Sequence, residues 1–313
     1  MPRMRVDTSI FIKKPSKIIY QSLCDFNHWQ KWSPWLLAEP EAKVDIAPTG
    51  EFYQWEGSIV GAGQMRITQT SEANDFLAMD LEFIKPWKSK AKVAFHLEEN
   101  EQGTTLRWAM DSRLPFYLFW MKKAMEAFVT EDYNRGLGLF KAVMETGKLP
   151  SKVTFQGLKK QPAIQYVGIK RRVSIEEIES FMGIDYGRLM PLFHQNWKEI
   201  QAGHPFTLYH QWDRVQKKVN YTAAVPLKEI PPALPDDFVK GILPEMAVYS
   251  VLHQGPYRYV ANAWAAGYMH SRAKQFKPLG KRAPMEVYWN SPKDTEELKL
   301  KRVYCQKIVK WET

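Results

Sequence analysis

The sequence has little of what marks several classes of protein. Its two cysteines, Cys24 and Cys305, lie too far apart to form a metal-binding pair or the framework of a disulfide-rich secreted domain. No uncharged apolar run reaches the length of about 18 residues that a membrane-spanning helix needs. The N-terminus lacks the apolar core and small-residue cleavage site of a signal peptide. We therefore predict a cytoplasmic protein without a membrane partner.

Catalytic and cofactor motifs are missing as well. The sequence has no Gly-x-Ser-x-Gly elbow, His-Glu-x-x-His, Cys-x-x-Cys, Walker A or Rossmann glycine pattern. The seven histidines are scattered, and His204 and His210 do not have the spacing of a metal site. We predict no metal, no cofactor and no catalytic residue, except under one alternative that involves Glu286.

The net charge of +10 is unevenly distributed. Acidic and basic residues nearly balance in residues 1–152, and the excess lies in residues 153–313, in clusters such as Lys170-Arg171-Arg172 and Lys299-Leu300-Lys301-Arg302. Such a surface attracts nucleic acid, an acidic protein or an anionic ligand. Because no nucleic-acid motif accompanies these clusters, we do not expect nucleic acid to bind. A protein partner stays open.

The length of 313 residues exceeds what one core usually organises, so we predict two domains, residues 1–150 and 151–313. The predicted fold class is α+β. In the first domain, an initial strand and short helices precede six strand-like runs separated by short polar or Gly breaks, as in an antiparallel meander. A long helix follows Pro115. The strand-like runs are 43–47, 51–59, 63–71, 76–84, 88–98 and 103–112.

A series of aromatic and glycine motifs in this first domain resembles a known family. The motifs are Trp29-x-x-Trp32-Ser33-Pro34-Trp35, Trp55-Glu56-Gly57 with Gly61-x-Gly63, Phe83-Ile84-Lys85-Pro86 and Gly103-Thr104-x-x-x-Trp108. Over residues 4–148 they resemble the polyketide cyclase/dehydrase-like branch of the START-like (SRPBCC) superfamily. The resemblance implies a helix-grip fold, in which an antiparallel sheet wraps around a long C-terminal helix. It does not fix a function, because this fold hosts many.

Four apolar residues of this domain, Trp55, Phe83, Trp108 and Met110, are candidates to line a ligand pocket between the sheet and the long helix. The alternative is that they pack the sheet against the helix. The sequence leaves both interpretations open.

The second domain repeats itself. Residues 146–163 have the composition of a linker, and two βαββ units follow. In the first we predict a strand at 164–172, a helix at about 175–201 and strands at 206–212 and 217–226. In the second we predict a strand at 246–253, a helix at about 256–276 and strands at 285–290 and 299–309. The matched tyrosines Tyr166 and Tyr221, and Tyr249 and Tyr304, are each 55 residues apart. We predict a pseudo-twofold pair of units with a groove between them.

This half resembles the GyrI-like small-molecule-binding domain, which is also the effector-binding domain of AraC-type and MerR-type regulators. The residues that carry the resemblance are Leu252-His253-Gln254-Gly255-Pro256-Tyr257, Trp264, Pro284-Met285-Glu286-Val287-Tyr288 and Pro292. It covers about residues 160–310. The resemblance implies that Glu286 faces a central aromatic pocket and binds cationic, lipophilic ligands.

Strand alternation places Glu286 and Tyr288 on one face of their strand and Met285 and Val287 on the other. We predict that the Glu286 carboxylate lies in an aromatic groove without a partner of its own, so that a ligand cation compensates its charge. The alternative is that Glu286 pairs with a nearby basic residue such as Arg302. The aromatic candidates are Tyr257, Trp264, Tyr288 and Tyr304, with Tyr166 and Tyr209 from the first unit.

Three functions follow from these patterns. The leading prediction is a binder of hydrophobic small molecules that acts as a sensor or sequestering protein. One alternative is a hydrolase of a reactive small molecule that uses Glu286 as the general base. The other is a gyrase-inhibitor-like protein-interaction module that uses the basic surface around Arg171 and Arg172.

Overall fold

The computed structural model describes the backbone of residues 2–279 and 283–307, with side chains up to residue 304 in the second range. By its internal contacts, the chain divides into two compact units, Met1–Lys152 and Val153–Thr313. The described ranges contain no helix that is long and apolar enough to cross a membrane.

The first unit combines seven strands with one long helix. Its elements are β1 (Arg3–Ile12), α1 (Ser16–Cys24), α2 (Phe26–Trp29), β2 (Lys43–Ile46), β3 (Phe52–Gly57), β4 (Gly61–Thr70), β5 (Phe76–Lys85), β6 (Ser89–Asn100), β7 (Gly103–Arg113) and α3 (Lys122–Thr146). The strands form one sheet in the order β1-β7-β6-β5-β4-β3-β2, with antiparallel neighbours. The predicted meander and long helix are confirmed. The helix begins with a 3-10 segment, Phe116–Met121.

An aromatic cluster holds α3 against this sheet. The Trp108 ring on β7 stacks on the Tyr133 ring of α3, with ring centroids 3.9 Å apart. Trp29, Trp32 and Phe95 surround Trp108 at centroid distances of 5.0–6.3 Å. Gly136 permits this close approach, because a Cβ atom there would lie 3.0 Å from the Trp108 ring. Buried aromatic pairs of this kind each contribute roughly 0.5–1.5 kcal/mol beyond the area that they bury.

The second unit is built on a single eight-stranded sheet. Its elements are β8 (Lys152–Gln161), β9 (Ile164–Ser174), α4 (Ile178–Pro191), β10 (Phe206–Asp213), β11 (Lys218–Leu227), β12 (Phe238–Leu243), β13 (Met246–Gln254), α5 (Ala261–Arg272), β14 (Met285–Tyr288) and β15 (Lys301–Lys307). The strand order is β12-β9-β11-β10-β14-β15-β13-β8. Helix α4 packs against β9 and β11, and α5 packs against β13 and β15.

The short connection between β8 and β9 requires this sheet to curl. The two strands are six positions apart in the sheet, which would separate them by about 29 Å if the sheet were flat. Only Pro162 and Ala163 join them, and three Cα steps reach at most about 11 Å. The face away from the helices is therefore concave. A buried cluster that includes Phe206, Met285 and Val303 lies there, beside a cleft of about 430 Å³.

The structure corrects three predicted elements of this unit. The predicted linker at 146–163 contains strand β8, and β12 was not predicted at all. The helix predicted at about 175–201 ends at Pro191, where a π-helical turn, Leu192–Asn196, and a 3-10 turn, Lys198–Ile200, replace it. The other predicted strands are present within a few residues. The last two residues of the predicted strand 299–309 lie outside the described residues.

A buried ion pair ties α4 to the sheet. Asp185 on α4 is fully buried and accepts hydrogen bonds from Arg171 Nε on β9 at 3.0 Å and from the Tyr221 hydroxyl on β11 at 2.7 Å. Burial raises the pKa of Tyr221, and the neighbouring Asp185 carboxylate raises it further, so the hydroxyl remains a donor. The ion pair also limits the exposure of Arg171, which was predicted as part of a basic interaction surface.

We expect Asp185→Asn to destabilise the protein by about 2–4 kcal/mol, because the change leaves a half-buried guanidinium without its counter-charge. Urea unfolding followed by fluorescence measures the loss. Asp237→Asn is the matched control, since Asp237 pairs with Arg188 of the same helix on the exposed surface and its replacement should leave the unfolding midpoint nearly unchanged. Equal effects of the two changes would contradict the assignment.

His253 on β13 gives the second unit a dependence on pH. The side chain is fully buried and lies opposite Arg302 in the strand register. Burial, assisted by the charge of Arg302, lowers the pKa of His253 to about 4. In the unfolded chain the ordinary pKa is about 6.5. Between these values the unfolded state binds the additional proton, so stability falls as the pH falls through this window.

We expect the free energy of unfolding to decrease between pH 7 and pH 4, with His253 contributing up to about 3 kcal/mol of the change. His253→Gln should have a smaller decrease over the same range, because Gln does not titrate. Urea titrations at a series of pH values test this, with the exposed His204→Gln as the control. If His253→Gln and the unchanged protein showed the same pH slope, the burial argument would fail.

Candidate functional site

The centre of the second sheet places Glu286 beneath the two helices. Glu286 is the second residue of β14, where Thr207 of β10 lies opposite it on one side and Tyr304 of β15 on the other. Its side chain is buried, with 2% of the residue exposed. Trp264 from α5 reaches it from the helical side. Alternation therefore directs Glu286 to the helical face and Met285 to the concave face.

The Glu286 carboxylate already has partners from its own chain. Trp264 Nε1 donates a hydrogen bond to Oε1. Arg302 Nη1 forms an ion pair with Oε2 at 3.2 Å, and the Tyr288 hydroxyl lies 3.3 Å from the same oxygen. The prediction that this carboxylate lacks a built-in partner is wrong. The alternative, pairing with Arg302 on the next strand, is what the structure has.

Arg302 occupies the position that a ligand cation was expected to take. Its Cζ atom lies 3.2 Å from the ring centroid of Tyr257 and 4.6 Å from that of Tyr288, within the range of a cation–π contact. Burial lowers the pKa of Arg302, but attraction to Tyr288, Glu286 and Tyr257 outweighs this effect, and the net pKa is raised. The guanidinium is therefore charged, and the buried pair is electrically neutral as a whole.

One donor of this guanidinium has no acceptor. Arg302 Nε is buried, and no described residue accepts a hydrogen bond from it. A buried donor without a partner costs about 1–3 kcal/mol. The side chain of Arg302 is 13% exposed, and Tyr257 and Tyr288 beside it are half-buried. The arrangement can hold a ligand that supplies both an aromatic surface and a hydrogen-bond acceptor.

A line of hydroxyl groups extends the site towards α4. Tyr186 and Tyr288 both hydrogen-bond Thr207 Oγ1, at 2.9 and 2.8 Å, and their rings meet edge to face at 5.4 Å. Burial raises the pKa values of Tyr186 and Tyr288, which keeps both hydroxyl groups protonated. Sequence reasoning missed Tyr186 and Thr207. The repeat could have revealed Thr207, because Phe206-Thr207-Leu208-Tyr209 matches Met285-Glu286-Val287-Tyr288.

Five of the six predicted aromatic residues gather around Glu286 and Arg302. The Trp264 ring contacts Tyr209 at 5.0 Å and Tyr304 at 4.4 Å, while Tyr257 and Tyr288 enclose Arg302. The exception is Tyr166. Its ring packs edge to face on Phe206 at 5.6 Å, in the cluster on the concave face.

The hydrolase alternative loses its base in this arrangement. A general base must reach the proton that it removes, but both oxygens of Glu286 already accept hydrogen bonds or an ion pair from the chain itself. Among the described residues, no cluster of His, Cys, Asp and Glu could hold a metal ion.

The candidate pocket residues of the first unit do not form one cluster. Trp108 and Met110 are buried, and Trp108 packs the sheet against α3. Trp55 lies instead across Gly63, where a Cβ atom would be 2.4 Å from its ring, and it contacts Phe83 at 6.0 Å. Phe83 is 37% exposed. For Trp108 the structure therefore supports the packing interpretation.

Two family models match the chain. The model described as polyketide cyclase / dehydrase and lipid transport matches residues 3–145, and the model described as GyrI-like small molecule binding domain matches residues 158–305. No curated protein matches the sequence.

Solved structures resemble parts of the chain at low identity. Protein MLL2253 from Mesorhizobium loti is 14% identical, with 45% of this chain and 96% of that chain covered and a TM-score of 0.35. The Aha1 dimer from Colwellia psychrerythraea is 17% identical, with 46% and 98% covered and a TM-score of 0.34. The EcmrR C-terminal domain is 17% identical, with 51% and 99% covered and a TM-score of 0.39.

The two family matches cover nearly all of both units, and only the segment between residues 145 and 158 separates them. The chain is therefore a fusion of an N-terminal START-like domain of the polyketide cyclase/dehydrase family with a C-terminal GyrI-like small-molecule-binding domain.

Proposed function

We propose that the GyrI-like domain binds a hydrophobic aromatic small molecule that carries a carboxylate or carbonyl group, and that the protein acts as a sensor or sequestering protein for it. Arg302 is the residue that contacts the ligand acceptor. Glu286 holds Arg302 in place, and Tyr257, Tyr288 and Tyr186 supply the aromatic surface. The observation that carries the proposal is the buried Nε–H of Arg302, which has no acceptor among the described residues and belongs to a guanidinium that contacts the rings of Tyr257 and Tyr288.

The charge of the site favours an acidic or neutral ligand over a cationic one. A cation would have to displace Arg302 from Glu286 and leave a buried guanidinium uncompensated, which costs several kcal/mol. An acceptor group satisfies the Nε donor without breaking the ion pair. The excess of basic residues in 153–313 also attracts an anion at long range.

The position of the site supports the predicted symmetry. From β9 to β13 the strand order is β9-β11-β10-β14-β15-β13. The first three strands belong to the first βαββ repeat. The last three belong to the second βαββ repeat and follow in the reverse order. Thr207 and Glu286, the matched second residues of β10 and β14, lie directly opposite each other. We propose that the two βαββ units form a pseudo-twofold pair, with the groove between α4 and α5 as the entrance. We also propose the domain boundary close to residue 150.

A pair of matched ligands tests whether the site prefers an anionic or a cationic ligand. Naphthoate and naphthylmethylammonium share an aromatic ring system and differ in the sign of their charge. Isothermal titration calorimetry of the full chain should show that naphthoate binds more tightly. Arg302→Gln should weaken naphthoate by roughly tenfold or more, equivalent to about 1.4 kcal/mol, and should strengthen the ammonium ligand, because Glu286 then lacks its partner.

Two further variants control this experiment. Arg172→Gln removes an exposed arginine of the same domain and should leave naphthoate affinity within roughly twofold of its original value. The double variant Glu286→Gln/Arg302→Gln removes both buried charges, so it should fold stably and lose the charge preference. Tighter binding of the ammonium ligand by the unchanged protein, abolished by Glu286→Gln, would sink the proposal and restore the cationic alternative.

A further inference from the structure

The START-like domain has a row of exposed aromatic side chains immediately before its long helix. In the 3-10 segment Phe116–Met121, four rings project from the surface. Phe116, Tyr117, Phe119 and Trp120 are each 63–75% exposed. Single exposed apolar side chains are ordinary on soluble domains, but a contiguous group of this size marks a surface that another phase or molecule covers.

A second exposed group lies at the same end of the sheet. Ile84, near the end of β5, is 41% exposed, and Trp87, in the turn between β5 and β6, is 56% exposed. The register pairs Phe83 with Ser89 at this turn, and Ala91 with Ser112 near the end of β7. The turn and the segment that follows β7 therefore lie at the same end of the sheet. We call residues 84, 87, 116, 117, 119 and 120 the aromatic rim.

Basic residues flank the aromatic rim on both sides. Arg113 precedes the 3-10 segment and Lys122 and Lys123 follow it, while Lys88 lies in the neighbouring turn. Arg113, Lys88 and Lys123 are exposed. No acidic residue occurs between Asp111 and Glu126. The rim is thus apolar and aromatic at its centre and positively charged at its border.

We propose that the aromatic rim binds the surface of an anionic lipid bilayer. Tryptophan, tyrosine and phenylalanine favour the boundary between headgroups and acyl chains, and each flanking Lys or Arg near an anionic surface contributes attraction that salt screens. The six-residue segment is far too short to span a bilayer. The interaction is therefore peripheral and reversible.

The charges argue against a second copy of the chain as the occupant. A symmetric dimer would place the same patch on both partners. The basic residues of both copies would then lie in one interface, where Glu126 offsets Lys122 at 3.7 Å, but no acidic residue between Asp111 and Glu126 offsets Arg113 and Lys123. Like charges opposed across an interface cost several kcal/mol. An anionic bilayer has the complementary charge.

Vesicle co-sedimentation of the full chain tests the proposal. The unchanged protein should sediment with vesicles of phosphatidylcholine and phosphatidylglycerol, and less with phosphatidylcholine alone. Phe119→Ser/Trp120→Ser should reduce the bound fraction by roughly tenfold or more, because two inserted rings are lost. Lys122→Gln/Lys123→Gln should reduce binding to the anionic vesicles and leave the weak binding to phosphatidylcholine unchanged.

The control is Ile242→Ser, which removes an apolar side chain of similar exposure, 67%, from the GyrI-like domain. It should bind vesicles as the unchanged protein does. Sedimentation velocity without lipid gives the competing outcome. A concentration-dependent dimer that Phe119→Ser/Trp120→Ser dissociates, with no vesicle binding by the unchanged protein, would overturn the membrane proposal. So would equal vesicle binding by the rim variant and the Ile242 variant.

Discussion

Under the proposed function, the ion pair between Glu286 and Arg302 determines what the centre of the GyrI-like domain binds. Two charges are removed from water there, and each is compensated mainly by the other. Such a pair is a poor source of stability, because the cost of desolvation offsets most of the attraction. Its effect is on selectivity. A lone carboxylate would attract cations, whereas a neutral site with an additional donor discriminates against them.

The curled sheet separates this site from the rest of the domain. On β14, Glu286 and Tyr288 face the helices, while Met285 and Val287 face the concave side, where they join a buried apolar cluster. The two-residue connection from β8 to β9 enforces this curl, so a strand that resembles a linker in sequence shapes the whole domain. The polar groups of the site therefore lie on the helical face. The apolar core is divided between the concave face and the layer beneath the helices.

Much of this arrangement could be predicted from sequence because it depends on local patterns. Gly and Pro breaks defined most strands, and alternation separated Glu286 and Tyr288 from Met285 and Val287. The sequence offered Arg302 as an alternative partner of Glu286 but could not decide whether the pair forms, because this depends on the register of β14 against β15, where Tyr288 lies opposite Arg302. Strands β8 and β12 lie at the two edges of the sheet, where little burial is needed, so their sequences carry no clear apolar alternation. Tyr166 was assigned to the site by the repeat alone, which does not specify a face.

The chain departs from the usual partition of apolar and charged side chains at Asp185, at Glu286 and at the aromatic rim. At position 286 charge is buried, and at the aromatic rim large apolar rings are exposed. Most of a sequence obeys the partition because folding requires it, so departures that the fold does not need are informative. The Asp185 pair fastens α4 to the sheet, whereas the Arg302 pair leaves a donor open. Under the two proposals, that donor and the exposed rings are each completed by a molecule from outside the chain.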